Sequence, residues 1–350
     1  MSHLLVDISS HGFGHIAQTA PVVNELAQRI PGLRFTLRTA APYSILQQRF
    51  RCDFQHIPAS FDFGMQMANA VDVETEKSAL AYRAFHAGWN EKVAREARTM
   101  RALKPDLLLA NVPYLSLAAA SVAGVPAVAM CSLNWADIYR HYCAEDAACG
   151  AISAQMLAAY SSARCFLKIE PALSMADISS ARSIGPVAQA GSNRRTLLAE
   201  KLCLSVAMGG MEFRLPVERW PRLPETRWIV PQTWGVERDD MPALEGLGVA
   251  FGDVLASCDA VLTKPGYGTF VEAACAGVPV LYVARKDWPE EPYLVNWLKR
   301  NASCAEVERE RLLTGELEDL LAQVWRLPAP PRPLATGANE AAQYLLENYF

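Results

Sequence analysis

Short apolar runs alternate with amphipathic stretches along the whole chain. This predicts strands buried on both faces of parallel sheets, with helices between them. Residues 4–9 are the first apolar run, followed by His11-Gly12-Phe13-Gly14-His15 and an amphipathic helix to about residue 29. Residues 34–39 read as a second strand. The charged segment 75–103 reads as one long helix ending before Pro105. Strand 107–111, helix 114–123 and strand 127–131 follow, and strand 165–169 closes the first half. The polar stretch 179–195, with Gly185, Pro186 and Gly191, reads as a linker.

The second half restarts the pattern. Strands are expected at 202–208, 227–230, 260–263 and 280–284, with helices at 254–258, 269–276, 292–301 and 317–325. Proline-rich 327–333 is an extended connector, and a last helix covers about 338–349. Alternating strands and helices that start twice imply an α/β protein with two doubly wound, Rossmann-like domains. The length of 350 residues agrees with two domains of about 150 residues each. The expected division is 1–184 and 185–330, with 331–350 a C-terminal helix that packs back on the first domain.

Composition narrows the function. Hydrophobic residues make up 51% and charged residues 20% of the chain, which excludes wholesale disorder. The formal net charge of −4 gives no electrostatic reason to expect nucleic acid. Residues 107–136 carry no charge, which raises the question of a membrane span. Asn111, Pro113, Gly124 and Pro126 divide the stretch into pieces of strand and helix length, so buried parallel-sheet structure explains it better. Membrane association, if any, is expected to be peripheral contact. The nine cysteines include no C-x-x-C pair and read as reduced thiols, and no signal peptide is evident, so a cytoplasmic protein is expected.

All six histidines precede the linker, so any imidazole chemistry comes from the first domain. The His11–His15 loop joins the first strand to the first helix. Gly12 and Gly14 allow a tight turn and close approach of a ligand, and the helix N-terminus supplies free N–H groups. His15, at the loop-to-helix junction, is the candidate general base. His3, His56, His86 and His141 have no supporting pattern and are read as surface or structural. Gly12, Gly14 and Ala17 also fit a relaxed dinucleotide fingerprint, but Arg38-Thr39-Ala40 stands where an acidic ribose ligand belongs. NAD is disfavoured; NADP, with Arg38 on its extra phosphate, is the remaining dinucleotide option.

A second motif runs from Lys264 to Glu272, followed by Ala276-Gly277-Val278-Pro279. Gly266, Gly268 and Thr269 would offer N–H groups and a hydroxyl to a phosphate at a helix N-terminus, with Lys264 adding positive charge. Glu272, one turn into the helix, can accept two hydrogen bonds from a ribose diol. Glu290 and Glu291, after the next strand, suit sugar hydroxyls, and Gly209-Gly210 would let a diphosphate approach the backbone. No D-x-D or histidine–cysteine metal pattern appears, so no metal and no cofactor are expected.

The stretch from Lys264 to Pro279 resembles the donor-binding signature of GT-B glycosyltransferases. It is similar to that of the plant-type UDP-glycosyltransferases and of the peptidoglycan N-acetylglucosaminyltransferase family. The resemblance places Glu272 on the nucleotide ribose, Gly266, Gly268, Thr269 and Lys264 at the diphosphate, and Glu290-Glu291 near the donor sugar. His11–His15 resembles the acceptor-side loop of the same fold, with His15 in the place of the histidine proposed as catalytic. Together these loops look like the glycosyltransferase-like domain at the amino terminus of plant L-arabinokinases, without a kinase half. The resemblance implies a cleft between two domains and an inverting, metal-independent transfer. The sugar would move from a nucleotide diphosphate donor, expected to be UDP-linked, to the hydroxyl of an undetermined glycan, lipid or small-molecule acceptor. A nucleotide-sugar hydrolase, a 2-epimerase and a silent nucleotide-sugar-binding protein are the alternatives.

Overall fold

The computed structural model describes residues 2–197, 202–209 and 213–350. The chain divides into two compact units. Unit 1 comprises Met1–Ala68, Asp72–Val187 and Ala335–Phe350; unit 2 comprises Asn69–Val71 and Ala188–Leu334.

Unit 1 contains strands β1 (His3–Ile8), β2 (Arg34–Arg38), β3 (Gln55–Ile57), β4 (Leu107–Asn111), β5 (Ala127–Cys131), β6 (Cys165–Ile169) and β7 (Ala181–Ile184). They form one parallel sheet in the order β3-β2-β1-β4-β5-β6-β7. Its helices begin with α1 (Gly14–Arg29), α2 (Tyr43–Arg49), α3 (Thr75–His86) and α4 (Trp89–Leu103). Three more follow, α5 (Tyr114–Ala123), α6 (Trp135–Cys143) and α7 (Cys149–Ser161).

Unit 2 contains β8 (Leu202–Ala207), β9 (Thr226–Ile229), β10 (Ala260–Thr263), β11 (Val280–Tyr282) and β12 (Cys304–Glu306). They form a second parallel sheet, in the order β12-β11-β10-β8-β9. Its helices are α8 (Phe251–Ser257), α9 (Tyr267–Ala276), α10 (Glu291–Asn301), α11 (Arg309–Thr314) and α12 (Glu318–Arg326). On one face of the sheet Trp220, Trp228, Val206, Leu262 and Leu321 share a core.

The last helix, α13 (Gly337–Tyr349), belongs to unit 1 and packs on α1. The approach is close: a Cβ on Gly337 would stand 2.0 Å from the Gly185 carbonyl oxygen. The Gly337 N–H donates to Pro186 O at 2.9 Å, and Arg29 Nη1 donates to Gln343 Oε1 at 2.8 Å.

Both sheets reverse strand order once, between β1 and β4 and between β8 and β10. Loops leaving two such strands diverge to opposite faces, which opens a crevice at the carboxyl ends. His11–His15 follows β1, Gly209 follows β8, and Lys264–Thr269 follows β10, so three predicted loops lie at these two points.

Two expectations change. The segment 75–103 is two helices, because Gly88 adopts φ +66° and ends the first path of hydrogen bonds. The expected linker 179–195 contains β7, which pairs with β6 along four residues. Buried β4 and β5 account for much of the charge-free stretch 107–136, and among the described residues no helix is long and apolar enough to cross a membrane.

Candidate functional site

In unit 1 the site begins where β1 ends. Gly12 has φ +83°, a conformation costly for any residue with a Cβ, and a Cβ on Gly12 or Gly14 would meet open space. The outer face of the turn is thus unobstructed, and Phe13 on it is exposed. His15 enters the first turn of α1 and is buried. Its Nδ1 lies 2.8 Å from Oδ1 of Asn111, the last residue of β4.

The surrounding amides fix that hydrogen bond's direction. Asn111 Nδ2 donates to Gln18 Oε1 at 3.1 Å, and Gln18 Nε2 donates to Ser132 Oγ at 2.7 Å. Asn111 Oδ1 must therefore accept, so His15 carries its proton on Nδ1 and keeps the Nε2 lone pair. Burial lowers the His15 pKa to about 4, with the Asn111 hydrogen bond opposing only in part. The imidazole is neutral throughout the physiological range.

Trp135 sits beside both loop histidines, 5.0 Å from the His11 ring edge-on and 5.7 Å from the His15 ring. Its Nε1 donates to Asp62 Oδ2 at 2.8 Å, and Ser9 Oγ donates to Asp62 Oδ1 at 2.8 Å. Asp62 is buried, and desolvation raises its pKa to about 7 despite these donors. Gly64 has φ +65° and lies under His11: a Cβ there would be 2.5 Å from the imidazole. His11 Nδ1 is 3.3 Å from Phe63 O, which gives this histidine a place in the packing of the loop. His3, by its 2.8 Å hydrogen bond to Thr36, and His86, stacked 4.9 Å from Trp89, are parts of the interior.

The NADP option fails on Arg38. Its guanidinium is buried and forms two hydrogen bonds with Asp7, at 2.7 and 2.6 Å, and one with Glu96 at 2.5 Å. Phe61 covers it, with the ring centroid 4.3 Å from Cζ. An arginine enclosed by two carboxylates and a ring is not available to a 2′-phosphate.

In unit 2 the Lys264 side chain lies along Gly209, where a Cβ would stand 3.2 Å from Cε and 3.8 Å from Nζ. Gly209 has φ +83°; its neighbour Gly210 lies outside the described residues. Gly266 is the N-cap of α9, and Gly268 and Thr269 lie in its first turn, so the N–H groups of that turn point toward the end of the sheet. Burial, then the nearby Arg285 charge, lowers the Lys264 pKa to about 7, while Glu290 opposes.

Glu272, in mid-α9, is 4% exposed and lines a cavity of about 350 Å³ with Gln189, Asn193, Leu255, Cys275 and Arg332. Glu290, the N-cap of α10, and Glu291, its first residue, are both buried. Glu290 Oε2 accepts from Trp288 Nε1 at 3.2 Å, and Glu291 Oε2 accepts from the Arg285 N–H at 2.6 Å. Both carboxylates thus shape the loop that carries Arg285. Among the described residues no three histidine, cysteine or acidic side chains cluster to hold a metal.

Sequence reasoning missed Asn111, Gln18, Ser132, Asp62, Trp135 and Arg285. Two had a signal available: Asn111 ends a strand at the switch of strand order, and Arg285 closely follows β11. Asp62 and Trp135 meet only through the tertiary fold.

Two doubly wound parallel sheets in one chain make the GT-B architecture. The comparisons agree. The glycosyltransferase of kitacinnamycin has a TM-score of 0.63 at 16% identity, with 99% of this chain and 95% of that one covered. The UDP co-structure of MnaA from S. aureus scores 0.61 at 13% identity, covering 100% and 98%. A UDP-N-acetylglucosamine 2-epimerase scores 0.56 at 13% identity, covering 99% and 96%. In sequence, the chain is 24% identical over 355 residues to L-arabinokinase of Arabidopsis thaliana, across 97% of this chain. It spans about a third of that protein's length, 34%. No family model matches the chain.

Proposed function

We propose that this chain is an inverting glycosyltransferase. It would move a sugar from a nucleotide diphosphate donor, UDP-linked, to an acceptor hydroxyl without a metal. The observation that carries the reading is Glu272 behind the Gly266–Thr269 helix N-terminus, at the switch point of the second sheet. A carboxylate for a diol and the N–H groups of a helix N-terminus for phosphate match the two polar parts of a nucleoside diphosphate. MnaA, a structural neighbour, is named in complex with UDP.

In the proposed reaction His15 Nε2 takes the proton of the acceptor hydroxyl. The acceptor oxygen forms a bond to the anomeric carbon, the bond from that carbon to the diphosphate oxygen breaks, and the diphosphate leaves with the electron pair. The α9 N-terminus, Thr269 and Lys264 stabilise its charge. Gln18 and Asn111 hold the His15 tautomer, which keeps Nε2 available without prior proton loss.

A 2-epimerase is the second reading, favoured by the neighbour of that name. Incubation with a panel of UDP-, dTDP- and GDP-sugars, with and without acceptors, followed by product chromatography, decides. A new glycoside is the expected result. Free sugar or a 2-epimer as the only product would replace transfer with the corresponding rival. No stabilisation by any nucleotide sugar in a thermal-shift panel would remove the donor assignment.

A further inference from the structure

We propose that Asp62 is a positioning residue for the candidate base, its carboxyl closing a circuit of residues that holds the His15 imidazole from two directions; this rests on the reading of His15 given above. The contacts run in order. His15 Nδ1 meets Asn111 Oδ1 at 2.8 Å, and the Asn111 carbonyl accepts from the Ser9 N–H at 2.7 Å. Ser9 Oγ donates to Asp62 Oδ1 and Trp135 Nε1 donates to Asp62 Oδ2, each at 2.8 Å. The Trp135 ring returns to His15, with the ring centroids 5.7 Å apart. Ser9 follows β1, Asn111 ends β4, Trp135 opens α6 and Asp62 lies between β3 and α3, so the circuit ties separate segments of unit 1 around one imidazole.

Trp135 is the arm that reaches the ring, and it is fully buried. Its backbone N–H donates to Tyr160 OH at 3.1 Å, and Tyr160 OH donates to Val112 O at 3.1 Å. Gly64 leaves room for the far edge of the indole: a Cβ there would stand 2.8 Å from Trp135 Cη2. The indole is thus fixed at its backbone, at its rim and at its nitrogen, and a turn of the ring would break the bond to Asp62.

The residue type follows from the donors. An indole N–H and a serine hydroxyl converge on Asp62, and a carboxyl offers one oxygen to each. Keeping it there is costly, since burial raises its pKa to about 7 and nearby Asp7 acts in the same sense. An apolar side chain would carry no such cost, so the carboxyl is accounted for by what it holds. Without it, Ser9 and Trp135 lose their acceptor and the indole can tilt. The imidazole is then free to place its proton on Nε2, where it cannot take one from an acceptor hydroxyl.

Nitrogen-15 NMR of the full chain at neutral pH reads the tautomer directly. Wild-type His15 should show one form, protonated on Nδ1. Asp62→Ala should show a mixture of both and lower kcat for transfer by about 10–100-fold, the cost of a misplaced catalytic group, with donor KM unchanged. Asp62→Asn keeps an oxygen for Trp135 Nε1 and should recover most of both readouts. Trp135→Phe keeps a ring but drops the bond, so it should repeat Asp62→Ala, and the double variant should lose no more than either single one. A folded Asp62→Ala protein with the wild-type tautomer overturns the proposal, as does an Asp62→Asn protein no better than Asp62→Ala. If Asp62→Ala fails to fold, Trp135→Phe decides, and a wild-type tautomer there overturns the circuit. Mixed tautomers in the variants, with no sugar transferred by the wild type, uphold the circuit and overturn the transferase reading alone.

Discussion

His15 Nδ1 and Asn111 Oδ1 are 2.8 Å apart, so the candidate base is held by a neutral amide and not by a carboxylate. An amide orients the ring but adds no charge to stabilise an imidazolium. Burial therefore dominates, and the His15 pKa falls to about 4.

If His15 is the base, His15→Ala should lower kcat by ~10²–10⁴-fold with donor affinity unchanged. The acid limb of the wild-type rate should lie near the lowered His15 pKa of about 4 and vanish in the variant. His11→Ala, in the same loop, controls for damage to the turn. A folded His15→Ala enzyme with wild-type kcat removes this residue from the chemistry.

Asn111→Asp puts a carboxylate where the amide stands. An opposite charge at this distance raises a histidine pKa by ~1–3 units, so the acid limb should move up by that amount. Titration of the His15 imidazole by NMR reads the same shift directly. An unmoved pKa would show that Asn111 does not control the ring.

Glu272→Gln should raise KM for the donor more than it lowers kcat, because a ribose contact is made alike in ground and transition states. The expected cost is about 1.5–3 kcal/mol of binding. Calorimetry showing wild-type donor affinity would take the ribose away from Glu272.

Asp62 adds a pH dependence of stability. Its folded pKa, about 7, lies above the ordinary carboxylate value, so its contribution is full at low pH and lost as pH rises through about 7. Asp62→Asn cannot ionise and should gain stability over wild type as pH rises from about 4 to about 7, by up to about 1.4 kcal/mol per unit, with no further gain above that. His15, with its pKa lowered, contributes stability that is present above its unfolded value and lost as pH falls toward about 4. It is common to both proteins and cancels in the difference. A stability gap that stays flat across this range, by denaturant melts, refutes the Asp62 assignment.

Excess EDTA should leave turnover unchanged, since the proposed leaving-group stabilisers are Lys264, Thr269 and backbone N–H groups. Loss of turnover that magnesium or manganese restores would overturn the metal-free mechanism.

The interior strands were legible because burial on both faces leaves an unbroken apolar run. β4, β5, β6 and β10 fall on the residues the pattern marks. The missed strands β3, β7 and β12 all stand at sheet edges, where Gln55, Arg182 and Glu306 are exposed and no such run is required. β9 is also an edge strand, yet buried Trp228 and Ile229 betray it. Helix α7 escaped because its small and apolar residues carry little period; α6 is amphipathic but only nine residues long. In the site, glycine-rich turns were visible as punctuation. The partners that set their chemistry, Asn111 to His15 and Arg285 to Lys264, are 96 and 21 positions apart and meet only through strand order.

The return of α13 to α1 has a consequence for biosynthesis. Emerging from the ribosome, the chain delivers all seven strands of the first sheet, then the whole of residues 188–334, and only afterwards the helix that completes unit 1. The unit that starts first therefore finishes last. A nascent chain stalled anywhere in unit 2 holds an α1 still lacking Ala341, Ala342 and Leu345, which are buried in the finished protein.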